Sequence, residues 1–128
     1  ISIAPHFKAK HGLLGTTFGG SYLACAAAIA VLEVIQEEKL IENAKAKGQI
    51  IIGKLHKYNQ LEKIRGRGLM IGFDPKEEVQ DLRSKLLLDH KIFTGNAKPN
   101  VVRLLPSLAI KDQEINEFFT AMDSILLN

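Results

Sequence analysis

Leu69-Met70-Ile71-Gly72-Phe73-Asp74-Pro75 is the stretch at which the chain changes character. Leu69, Ile71 and Phe73 alternate with Met70 and Gly72, the period-two pattern of a strand with one buried face. Asp74-Pro75 then reads as a helix start, with Asp74 as N-cap, Pro75 at the first helical position and Glu77 three residues after the cap. The helix begun there carries Val79, Leu82, Leu86 and Leu87 on one side and ends near Asp89-His90. Downstream, Ile92-Phe93-Thr94 gives a short strand, residues 95–100 a turn, and residues 101–105 a further strand stopped by Pro106. A last amphipathic helix, from about Asp112 to Leu126, buries Ile115, Phe118, Phe119, Met122 and Ile125; Lys111 before it is a poor cap. Strand–helix–strand–strand–helix at this size predicts an α+β fold, a small sheet with helices on one face.

Upstream of the pivot the pattern is helical. A helix from about Lys39 to Tyr58 places Leu40, Ala44, Ile51, Ile52 and Leu55 on one broad face and Glu42, Lys45, Lys47 and Lys54 in water. Gly48 and Gly53 inside it each cost about 1 kcal/mol relative to alanine, so close packing against another helix is expected there. Residues 22–36 form an Ala-rich helix, apolar nearly all round and expected to be buried on most faces. Ser21 is its candidate N-cap. Cys25, the single cysteine, falls in the apolar run 22–32, where an inert buried thiol is expected. That run of 11 residues is short of the ~20 a membrane helix needs.

The chain has 128 residues, 17 basic against 14 acidic, for a net charge of +3. The cations alternate with acids, as in Glu37-Glu38-Lys39 and Glu42-Asn43-Ala44-Lys45, and form no stripe of the kind nucleic acid requires. One cysteine allows no internal disulfide and no cysteine-based metal cage, and the four histidines show no metal spacing. No signal peptide is visible, which makes a reducing cytoplasm the expected compartment. The chain opens Ile1-Ser2-Ile3-Ala4-Pro5 without methionine and is expected to begin partway through a longer polypeptide.

Three segments can carry chemistry. Gly12-Leu13-Leu14-Gly15-Thr16-Thr17-Phe18-Gly19-Gly20-Ser21 puts two hydroxyls among glycines just before a helix N-terminus, where free N–H groups and the helix dipole favour a phosphate; a plain turn fits the same residues. It is neither a Walker loop nor the dinucleotide fingerprint, lacking the Gly-Lys-Ser/Thr of the one and the preceding strand of the other. Arg103, mid-strand and facing opposite to Val102 and Leu104, has the planar fork that grips a carboxylate; an edge arginine paired with an acid fits equally. Arg65-Gly66-Arg67-Gly68 is a single copy without a neighbouring aromatic, so a structural turn is favoured over RNA binding.

The order of these segments resembles the class III pyridoxal-phosphate-dependent aminotransferases of the acetylornithine or succinylornithine type. His11-Gly12, then residues 15–20, then Leu23-Ala24-Cys25-Ala26 resemble the part of that family downstream of its cofactor lysine. Residues 64–72 are similar to the first strand of its C-terminal domain, and residues 101–110 to its carboxylate-binding strand. The resemblance covers essentially the whole chain. It implies a fold-type I C-terminal domain with long interdomain helices: residues 1–38 end the large-domain region and residues 39–128 form the small domain. It also implies a homodimer in which Thr17, beside Thr16, reaches the pyridoxal 5'-phosphate of the other subunit, and Arg103 holds the substrate α-carboxylate. The Schiff-base lysine, the aspartate on the pyridine nitrogen and the ring-stacking aromatic belong upstream of Ile1, so no catalytic residue is expected in this chain. The implied reaction moves an amino group between N-acylated ornithine and 2-oxoglutarate in arginine biosynthesis. Ornithine or 4-aminobutyrate transamination, and a catalytically silent binding or oligomerisation module, are the alternatives. Departures from the pattern are Ser21-Tyr22 for the usual Asn-Pro and Pro106-Ser107 for the usual Pro-Pro.

Overall fold

The computed structural model describes His6, Gly12 and residues 15–97 and 99–127. His11 and Leu13-Leu14 of the quoted loop, the opening residues 1–5, and Lys98 of the expected turn lie outside the described residues. Two compact units divide between Glu33 and Val34.

In the first unit, residues 17–20 form a turn that leads into α1 (Tyr22–Glu37). Ser21 caps the helix as its sequence suggests: its Oγ accepts from the Ala24 N–H at 3.3 Å. Contrary to expectation, α1 buries no residue and Cys25 is exposed. Its apolar composition states a preference for cover.

In the second unit, α2 (Leu40–Leu55) begins after Lys39, which takes a left-handed φ of 51°. Ala44, Gly48, Ile51 and Leu55 make its buried stripe, the spacing of one helix face. Gly48 does face a close neighbour, but the neighbour is the carbonyl of Gly68 in a hairpin turn rather than another helix. Gly53 faces open space, and nothing in the structure explains it.

The chain then forms β1 (Leu61–Arg67) and β2 (Met70–Pro75), antiparallel and joined by a two-residue turn. Gly68 opens that turn at φ 56°, as a type II′ hairpin turn requires. β1 is an addition to the expected elements, since Arg65, Gly66 and Arg67 lie in the strand and only Gly68 in the turn. Asp74 and Pro75 do not start a helix; they end β2. A short 3-10 turn (Glu77–Val79) precedes α3 (Leu82–Leu88). Ile92-Phe93-Thr94 is not a strand. It follows an αL-type helix end, with Lys91 at φ 60°, its N–H on the Leu87 carbonyl at 3.2 Å, and the Ile92 N–H on Leu86 at 2.8 Å. The strand comes three residues later, as β3 (Gly95–Ala97), paired with β4 (Val101–Leu104).

All neighbouring strands are antiparallel, in the order β1-β2-β4-β3. Ile71, Phe73 and Val102 point to the helices and join Ile51, Leu55, Leu82, Leu86, Ile115 and Met122 in one core. α4 (Asp112–Leu126) buries Ile115, Phe119, Ala121, Met122 and Leu126, while Phe118 and Ile125 are only partly covered. Its start at Asp112 is held by the Glu114 carboxylate, which accepts from the Lys111 N–H at 2.8 Å. The α+β expectation of a small sheet with helices on one face holds.

Candidate functional site

The candidate site is built on the sheet. Strand register lines up Arg65 on β1, Gly72 on β2, Arg103 on β4 and Gly95 on β3 in one row across it. Arg103 is exposed, opposite in sense to the buried Val102, as strand alternation demands.

The two arginines of the row have different fates. Arg65 is engaged: its Nη1 donates to Asp74 Oδ1 at 3.1 Å and to the Lys63 carbonyl at 2.5 Å. Lys63 Nζ lies 3.3 Å from the other Asp74 oxygen. Burial alone would raise the Asp74 carboxyl, but the hydrogen bonds and charges of Arg65 and Lys63 outweigh it and hold the group below the usual carboxylate range. Among the described residues the Arg103 side chain makes no hydrogen bond or ion pair.

Arg103 also lines a cavity of about 420 Å³ that lies between β4 and the helices, walled chiefly by apolar groups, among them Ile51 of α2 and Ile115 and Phe118 of α4 together with Ile92 and Phe93, with Glu114 and Glu117 on its lining. That size suits a small organic ligand. Leu105 and Pro106 follow β4 directly, and the loop after them is fixed from α2: Asn43 Nδ2 donates to the carbonyls of Leu108 and Ile110 at 2.7 and 3.1 Å. Ser107, standing where a second proline is usual, accepts from the Ala109 N–H at 3.2 Å and keeps the turn closed.

Thr16 and Thr17 lie in the first unit, exposed, ahead of the Ser21-capped start of α1. Gly20 takes a φ of 78°, which lets the chain turn into the helix. A side chain at Gly19 would collide with the Thr16 methyl, so the glycine leaves room for the threonine. Hydroxyls and backbone on the outside of such a turn suit a phosphate group.

Sequence reasoning missed Gly95, Phe93, Glu114 and Glu117 at this site. Counting back symmetrically about Pro99 would have set Gly95 opposite Arg103; the misplaced strand at 92–94 hid that pairing. Among the described residues no group of three or more His, Cys, Asp or Glu side chains is placed to hold a metal, and no helix is long and apolar enough to cross a membrane.

Comparison with known proteins settles the family. The sequence pattern described as Aminotransferase class-III matches residues 3–126. This chain belongs to the class-III aminotransferases. It is 36% identical over 110 residues to the acetylornithine aminotransferase of Archaeoglobus fulgidus, covering 86% of this chain and 28% of that protein. It is 33% identical over 117 residues to the ornithine aminotransferase of Bacillus cereus, covering 90% and 29%. Among solved structures it is similar to the acetylornithine aminotransferase of Elizabethkingia anophelis, with a TM-score of 0.77 and 29% identity over 93% of this chain and 33% of that one. An ornithine aminotransferase from Toxoplasma gondii gives a TM-score of 0.78 at 32% identity, over 92% and 29%, and holds pyridoxal phosphate at partial occupancy in its active site. Class-III aminotransferases are pyridoxal-phosphate enzymes, and this chain spans less than a third of the length of the relatives it matches.

Proposed function

We propose that this chain is the C-terminal portion of an aminotransferase moving an amino group between an N-acylated ornithine and 2-oxoglutarate, in arginine biosynthesis. Arg103 carries the reading. It is an exposed arginine without an acidic partner among the described residues, mid-strand in the sheet, and it lines an apolar cavity of about 420 Å³. A guanidinium so placed presents two parallel N–H donors to a carboxylate. The amino donor and 2-oxoglutarate each bring an α-carboxylate, so one arginine serves both halves of the reaction.

The turn with Thr16 and Thr17 fits the phosphate of pyridoxal 5'-phosphate through its exposed hydroxyls. Bound, that cofactor supplies the electron sink for amino transfer. The chain's own residues hold and orient: Thr17, with Thr16, secures a phosphate, across a homodimer interface to the other subunit's cofactor, while Arg103 fixes the substrate by its carboxylate. The cofactor-anchoring lysine, its ring-nitrogen aspartate and the stacking aromatic come from sequence ahead of Ile1. Residues 1–38 then close the large-domain region, residues 39–128 form the small domain, and the protein works in the cytoplasm.

The test uses the full-length protein. Arg103→Lys keeps the charge but loses the two-pronged bond, and catalytic efficiency falls by roughly 30- to 1000-fold in both half-reactions, about 2–4 kcal/mol. Cofactor affinity is unchanged. Thr17→Ala does the reverse, weakening cofactor retention before substrate preference. Single-turnover kinetics for each half-reaction, with cofactor titration, read both; near-native efficiency of Arg103→Lys would remove the reading.

Ornithine is the second substrate to weigh, because ornithine aminotransferases stand beside acetylornithine aminotransferases among the relatives at nearly the same identity. Acetylornithine, succinylornithine and ornithine offered in parallel decide between them.

A further inference from the structure

Gly95 stands opposite Arg103 in the β3–β4 pair and on the same sheet face. Its φ lies outside the left-handed region, so the backbone there suits any residue and conformational freedom does not explain the glycine. Space does. The three atoms nearest to a Cβ built on Gly95 all belong to Arg103: Nε at 3.2 Å, the carbonyl oxygen at 3.4 Å and Nη2 at 3.5 Å. The Arg103 side chain therefore lies over β3, resting on bare backbone where any other residue would put a side chain. The glycine on the other flank is different: a Cβ on Gly72 would meet Val101 Cγ1 at 3.3 Å and the Val102 carbonyl at 3.8 Å, with no atom of Arg103 among its contacts.

We propose that Gly95 is a positioning residue for substrate, leaving the gap that lays the Arg103 guanidinium flat across β3 and sets the direction of its two donors. The proposal rests on Arg103 being the carboxylate clamp. With no hydrogen bond or ion pair from the described residues to fix it, the guanidinium takes its orientation from what it lies on. A methyl at 95 forces Nε to give by a few tenths of an ångström, and a branched side chain lifts the whole group away from the strand. A two-pronged contact suffers from either, because both N–H···O bonds must be met at once.

The experiment is equilibrium binding of glutarate, a dicarboxylate with no oxo group to transaminate, to the full-length protein, alongside KM and kcat for both substrates and cofactor titration. The variants are Gly95→Ala, Gly95→Val, Arg103→Ala, the Gly95→Val/Arg103→Ala double variant, and Ala97→Val, which lies on the same strand and face but opposite Val101. Gly95→Ala weakens glutarate binding roughly 3- to 10-fold and Gly95→Val roughly 30-fold or more, with KM rising in step and cofactor affinity unmoved. Ala97→Val leaves binding near native, and Gly95→Val adds nothing once Arg103 is alanine. Native affinity in Gly95→Val while Arg103→Ala loses binding would overturn the positioning role and leave the clamp standing. An equal loss from Gly95→Val on the Arg103→Ala background would make the glycine merely structural and overturn it too. Native glutarate binding in Arg103→Ala would remove the clamp itself, and the proposal with it.

Discussion

Asp74 is a largely enclosed carboxylate gripped by two cations, Arg65 and Lys63, and that grip has a sign in pH. Its folded-state pKa lies below the unfolded value, so in the acid range the unfolded chain binds the extra proton. The stabilisation is complete above about pH 4, the unfolded aspartate value, and drains away as pH falls through the lower folded pKa. Asp74→Asn therefore lowers stability at neutral pH and flattens the acid limb of a stability-against-pH curve; an unchanged limb would show the cluster to be decorative. Tyr58 is held differently. Burial, then the hydrogen bond to Asp123 and its charge, push the phenol well above its ordinary value, so it stays a donor throughout the working range. Its Oη donates to Asp123 Oδ1 at 2.5 Å, tying the segment after α2 to α4. Tyr58→Phe keeps the ring stack on Phe119 and loses only that bond, which costs about 1–2 kcal/mol in urea unfolding. At this scale the sequence showed which residue types matter, arginine on a strand and threonines by a helix start. It could not show that Arg65 is engaged while Arg103 is not, because partners are set by sheet register.

Gly48 and Gly53 sit five residues apart on α2 and answer the same substitution with opposite signs. Alanine gains roughly 1 kcal/mol of helix propensity at either position. At Gly48 the new methyl would drive into the Gly68 carbonyl, backbone that cannot swing aside, and the overlap costs more than the gain. At Gly53 the methyl meets nothing within 4 Å. Gly48→Ala is expected to destabilise by about 1–3 kcal/mol and Gly53→Ala to stabilise by about 0.5–1 kcal/mol, measured as shifts in urea midpoint at constant slope. Equal effects would mean that the hairpin does not seat on α2. α2, α4 and β4 were readable because each carries a full period of apolar residues against polar ones. β1 was not: a register break between Glu62 and Arg65, with Lys63 at φ 49°, destroys its alternation, and charged side chains suit an edge strand. β3 is Gly-Asn-Ala, turn chemistry by composition, and becomes a strand only because β4 lies alongside. Asp74-Pro75 has the residues of a helix start, but tertiary pairing wins: Asp74 faces Glu62 and Pro75 faces Leu61 across the ladder.

The whole molecule is a class-III aminotransferase segment less than a third as long as its relatives, and two consequences can be measured on the chain by itself. On the proposal that the cofactor-anchoring lysine comes from upstream sequence, borohydride reduction with pyridoxal phosphate labels several of the chain's lysines weakly; stoichiometric labelling of a single lysine would contradict that assignment. The second consequence follows from α1. Tyr22 is 96% exposed and Leu23 84%, and Ile29, Val31 and Leu32 are more than half exposed along the same helix. Contiguous apolar patches of several hundred Å² are unusual on a monomer. Covering about 600 Å² of such surface yields on the order of 15 kcal/mol at ~25 cal/mol per Å², against an association cost of roughly 4–15 kcal/mol. A net gain of several kcal/mol remains over most of that span, and it corresponds to dissociation constants of roughly millimolar to micromolar. The isolated chain should therefore self-associate as its concentration rises through that range, as seen by light scattering. Replacing Leu23 and Leu32 together by lysine adds two like charges to the helix and should restore the monomer without touching the core around Phe73 and Met122. A wild-type chain that stays monomeric at millimolar concentration would show that α1 finds its cover elsewhere.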